Sequence, residues 1–135
     1  MESLVRILSR RKLSGVVRQF RGYAKEARKE LLAVEAELVA MNLGIDSVSV
    51  PLPDLPGSAL RYRKYSRSQW GLCVSYGTAD VYARVRDMNE VELVYCWIAL
   101  PALVNALLEA AVALESELSE ALDQARAFQR RLKDD

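Results

Sequence analysis

The chain has 135 residues, 51% of them apolar, and a net charge of +1. These values bound it to one domain with a core of its own, and they exclude wholesale disorder and any overall field that would select nucleic acid or a membrane. There is no His, which removes the usual general base and the commonest metal ligand.

The N-terminal stretch MESLVRILSRRKLSG has too short an apolar run, and no small-residue cleavage site, to be a secretory signal. Residues 2–13 read as a short helix with Leu4, Ile7, Leu8 and Leu13 on its apolar face, ending at a break at Ser14-Gly15. A long helix is expected over 15–43. In it Val17, Phe20, Ala24, Ala27, Leu31, Val34, Leu38 and Met41 alternate spacings of three and four, so one stripe faces a partner helix throughout. Ser14 can cap its start, and its end falls at Asn42 to Gly44, where Gly relieves the left-handed terminal conformation.

Residues 45–88 change character. Pro51, Pro53 and Pro56 make VPLPDLPG an extended connector, with Val48, Val50 and Leu52 as a candidate edge strand ahead of it. Three further strands come next: Leu60 to Tyr65; the alternating Trp70, Leu72, Val74 and Tyr76; and the alternating Val81, Ala83 and Val85. Period-two alternation bounded by Ser, Gly and Asp predicts an antiparallel meander with one buried face. The other face is expected to carry Arg61, Tyr62, Arg63, Lys64, Tyr65, Arg67, Tyr82, Arg84 and Arg86, with Asp80 as the only acid in 60–86. Arg pairs with carboxylate or phosphate in a fork, and Tyr supplies stacking surface, so these nine residues are the candidate partner-binding site. The same composition also suits an ordinary solvated sheet face.

Asn89, with Glu92 three residues later, reads as a capping box opening a second long helix over 90–132, kinked near Pro101. The alternative is a strand over 91–100 with a helix starting at Pro101. The 3-4 spacing runs through Leu93, Trp97, Leu100, Val104 and Leu107, the expected core and dimer seam. It continues through Ala111, Leu114, Leu118, Ala121, Ala125, Phe128 and Leu132. Residues 1–29 hold nine Lys/Arg and two Glu, whereas 87–123 hold eight Asp/Glu and no Lys or Arg, a pattern that favours antiparallel pairing of the two helices. With Met41 facing Leu93, Val17 would lie opposite about residue 117 at 1.5 Å per residue. Between Leu93 and Leu108 the second helix is apolar all round, more than one partner helix covers, so a second copy of the chain is expected to complete the structure. That uncharged run of sixteen residues is shorter than the ~20 that span a bilayer.

The expected fold is therefore a single α+β domain, mostly α: a long, coiled-coil-like antiparallel helical hairpin with a three- to four-stranded meander at its tip, completed by homodimerisation. Cys73 and Cys96 are too few for a zinc site or a disulfide framework, and they read as reduced, buried hydrophobes in a cytoplasmic protein. No phosphate loop, dinucleotide fingerprint, nucleophile elbow or metal-ligand spacing is present. The expectation is a non-catalytic homodimeric adaptor, without cofactor or metal, that binds an acidic protein surface through the Arg/Tyr face. The alternative is a nucleic-acid-binding protein using that face and the basic N-terminal helix.

Overall fold

The computed structural model describes residues 2–53 and 55–134, with side chains described for 11–53, 55–78 and 81–134. Two long helices, α1 (Glu2–Ala40) and α2 (Glu90–Asp134), flank a four-stranded antiparallel meander of β1 (Ser49–Pro51), β2 (Ser58–Lys64), β3 (Trp70–Tyr76) and β4 (Thr78–Arg84) in the order β1-β2-β3-β4. A single 3₁₀ turn, Val85–Asp87, leads from β4 into α2.

The helix limits arise from local chemistry. Helix α1 runs through Ser14-Gly15 without the expected break, because one mid-helix Gly costs only ~1 kcal/mol relative to Ala and does not by itself stop a helix. It ends in a Schellman motif: Leu43 N–H donates to Leu38 O at 3.4 Å and Asn42 N–H to Val39 O at 3.0 Å. The left-handed residue there is Asn42, at φ 56°, and not Gly44. Helix α2 starts where expected, with Asn89 Oδ1 accepting the Glu92 N–H at 2.9 Å. It runs through 91–100 and past Pro101, so the strand alternative fails and the helix is not split there.

In the sheet, Pro51 lies on edge strand β1, where a missing N–H is tolerated. Gly77, at φ +76°, makes the tight β3–β4 turn between the paired Tyr76 and Thr78. The register shift next to it turns Val81 outward, 57% exposed, against the expectation that it shares a buried face with Ala83 and Val85.

Both helices pack on one face of the sheet. Leu60, Tyr62, Leu72 and Val74 from β2 and β3 join Ala27, Leu31 and Leu38 of α1 and Leu93, Cys96, Leu100, Leu103 and Leu107 of α2 in one hydrophobic cluster. The buried stripe of α2 therefore shares Leu93, Leu100 and Leu107 with the expected seam but uses Cys96 and Leu103 in place of Trp97 and Val104. Trp97 is half-buried at the margin, and Val104 is exposed. A sheet beneath the helix, and not only a helix beside it, rotates the covered stripe.

The helices are not antiparallel. Arg28 of α1 reaches the carbonyls of Arg86 and Met88, just ahead of α2, at 2.9 and 3.1 Å. The indole N–H of Trp97 donates to Glu30. Past the other end of α1, Gly44 to Ser47 line a groove with Ala110, Ala113, Leu114 and Glu117 of α2. Moving forward along α1 thus means moving forward along α2, and the two cross the sheet in the same sense. The meander is accordingly a crossover beneath both helices and not a tip. The N-terminal part of α1 and the C-terminal part of α2 project from opposite ends; Val16 and Leu118 are 57% and 61% exposed. Residues 11–23 of the basic block and 112–123 of the acidic block, exposed along nearly their whole length, do not face each other within the chain.

Candidate functional site

Strand alternation decides which residues can meet a partner. The register pairs Arg61 with Cys73 and Cys73 with Arg84, Arg63 with Gly71, and Ser75 with Tyr82, so these residues share the face turned away from the helices. No carboxylate from β2 to β4 lies on that face among the described side chains.

Its central feature is a double stack. The Arg63 guanidinium sits 3.9 Å from the centroid of the Tyr82 ring, and that of Arg84 sits 3.9 Å from the centroid of Tyr65. Arg84 also donates to the Tyr65 hydroxyl at 2.8 Å, and the Tyr82 hydroxyl donates to the Tyr65 carbonyl at 3.4 Å. Cation–π contact holds two long cations in fixed positions at little entropic cost on binding. Beneath them Cys73 is fully buried. Burial pushes its thiol up to about 11, with the charges of Arg63 and Arg84 opposing. Burial likewise pushes the Cys96 thiol in the core up to about 12. Both sulfurs are free thiols.

The other predicted site residues are dispersed. Tyr62 belongs to the opposite face: it is 1% exposed and stacked on Trp70 with centroids 5.4 Å apart. Its position in the alternation of β2, in step with Leu60, puts it in the core. Arg61 turns toward the α1–β1 loop, donating to the Asp46 carbonyl at 2.9 Å, and its Nε is buried without an acceptor among the described residues. Lys64 and Arg67 are exposed at the end of β2 and in the hairpin loop. Arg86 lies past the sheet and is committed elsewhere.

That commitment is to Glu35, a residue sequence reasoning passed over. Glu35 is 5% exposed on α1. Its Oε1 accepts from Arg86 at 2.8 Å and its Oε2 accepts from the Leu72 N–H at 2.8 Å. The last β3–β4 pair is Cys73 with Arg84, so the Leu72 N–H has lost its strand partner where β4 turns away, and the carboxylate takes that partner's place. The guanidinium of Arg86 is held more firmly protonated by the same contact. Gly71 makes room: a Cβ there would lie 2.9 Å from Glu35 Oε2 and 3.1 Å from the Tyr65 ring. A carboxylate between the seam residues Leu31, Val34 and Leu38 was the available signal.

A groove between α1 and the β2–β3 hairpin is lined by Leu32, Glu35, Tyr65, Trp70 and Arg86 among others. Both carboxylate oxygens of Glu35 are engaged, so its strongest polar group is structural. Among the described residues no three His, Cys, Asp or Glu side chains gather where one ion could be held. Helix α2 is long and apolar enough to cross a membrane, a property that core helices of soluble proteins share, and a third of that stretch is buried inside the protein.

Comparison with known protein families, curated proteins and solved structures found no match to this chain. The class it defines is a two-layer α+β domain, two helices crossing one face of a four-stranded antiparallel meander whose other face neither helix covers.

Proposed function

We propose that this protein is a non-catalytic, homodimeric adaptor of the cytoplasm that binds an acidic protein surface through the uncovered face of its sheet, its projecting helices making a coiled-coil-like dimer. The observation that carries this reading is the pair of guanidiniums, Arg63 and Arg84, stacked on Tyr82 and Tyr65. Two guanidiniums held in place by ring stacking suit the carboxylates of a partner. The stacks also favour a protein partner over nucleic acid, because each guanidinium occupies a ring face on which a base would otherwise stack.

Reversing both charges, Arg63→Glu with Arg84→Glu, should abolish recovery of the co-purifying partner in pull-downs while leaving far-ultraviolet circular dichroism unchanged. Arg61 is left out because it holds the Asp46 loop. Recovery of the same partner by the double variant would remove the sheet face as the site. Retention of single-stranded oligonucleotides at low salt, lost steeply as salt rises, would replace the protein partner with a nucleic acid.

A further inference from the structure

We propose that a second copy of this chain covers the outer half of α2, the two arms running antiparallel with Leu118 of each copy opposite Ala121 of the other. The proposal rests on the homodimeric part of the reading above and names the surface that makes the dimer. Beyond the sheet α2 continues as a helical arm, residues 112–134, about 34 Å long. The 3-4 spacing of apolar residues persists along it, yet beyond Leu114 no described residue covers the stripe: Leu118 and Phe128 are 61% and 62% exposed.

Three features select an identical arm in the antiparallel sense. The first is size. Antiparallel coiled coils set the two seam positions of one helix opposite each other's counterparts. One two-fold-symmetric register puts Ala111 opposite Phe128, Leu114 opposite Ala125 and Leu118 opposite Ala121, a large side chain against a small one in each of these layers.

The second is charge. Residues 109–123 carry five carboxylates and no base, and residues 124–133 carry four bases and no carboxylate. In this register residues 109–115, with Glu109 and Glu115, lie against 124–130, with Arg126 and Arg130, and 116–123 lies against its own counterpart, whereas in-register parallel pairing stacks like on like along the whole arm. The α1 arm of another copy, with seven Lys/Arg and one Glu over 11–29, would match only the acidic half and repel the basic one.

The third is the groove at the root of the arm. It is lined by Asp46 and Glu117 beside Ala110 and Leu114. The proposed register brings the partner's Phe128 and its basic last turns to this acidic-rimmed apolar groove.

The test is the molar mass of the full chain by light scattering across a concentration series, for the wild type and for Leu118→Glu. The wild type should be a dimer. Leu118 is exposed in the single chain, so the substitution leaves the core intact, and because it enters the interface twice it should weaken dimerisation by roughly 100-fold or more. A copy carrying Arg126→Glu and Arg130→Glu, mixed with one carrying Glu109→Lys and Glu117→Lys, should form the heterodimer in preference to either homodimer. A monomeric wild type overturns both this proposal and the homodimeric reading. A Leu118→Glu chain that stays dimeric, or a dimer lost with Val16→Glu and not with Leu118→Glu, overturns this seam and leaves the homodimer standing.

Discussion

Replacing Glu35 with alanine should lower the free energy of unfolding by about 3 kcal/mol, read from the shift of the urea midpoint at unchanged slope. The carboxylate ends two hydrogen bonds, from the Leu72 N–H and from Arg86, each 2.8 Å long. Its removal strands a buried backbone donor at the sheet edge, whose desolvation then goes uncompensated. The Arg86 contribution is the smaller one, because that side chain is 48% exposed and water can solvate the freed guanidinium. Arg86→Ala should therefore cost clearly less than Glu35→Ala. Equal costs would mean that the ion pair, and not the edge hydrogen bond, is what Glu35 contributes.

Tyr62→Ala should cost about 4 kcal/mol, whereas Tyr82→Ala should cost about 1 kcal/mol. Both tyrosines come from the same Arg/Tyr-rich stretch, but they stand on opposite faces. Tyr62 is 1% exposed, is stacked on Trp70 and belongs to the central cluster. Its truncation opens a cavity between α1 and the sheet, in a domain whose whole stability is on the order of 5–15 kcal/mol. Tyr82 lies on the uncovered face beneath Arg63 and leaves no enclosed void when removed. Parallel urea titrations of the two variants give the comparison, and similar losses would contradict the assignment of faces.

What was legible in the sequence was local, and what was not was relational. Heptad spacing located both helices, Asn89 located the start of α2, and period-two alternation located β2, β3 and most of β4. The same alternation, applied strictly, places Tyr62 with Leu60 and away from Arg61 and Arg63. Grouping those residues by composition obscured it. The relative direction of the helices was misjudged because charge blocks and seams constrain what can pair without saying which copy supplies the partner. The stripe from Leu93 to Leu107 packs on strands as well as on α1, and strands leave no heptad trace in α2. Glu35 escaped notice because it answers a backbone donor left unpaired where β4 turns away at Val85, a feature of the sheet and not of the helix that carries it.

The uncovered sheet face, the projecting arms and the proposed seam all depend on the two helices crossing the sheet in the same sense. The most direct measurement is the electron–electron dipolar distance between spin labels at residues 17 and 117, introduced as Val17→Cys and Glu117→Cys and diluted with unlabelled protein to isolate the intrachain pair. Cys73 and Cys96 are buried, with thiols pushed up to about 11 and about 12, so the labels attach selectively at the new sites. Helices running in the same sense, in contact at Glu30 and Trp97, place the two labels roughly 50 Å apart, with 1.5 Å of rise per residue on each side of the contact. A distance near 10 Å, the interaxial spacing of packed helices, would restore the antiparallel hairpin and contradict the account.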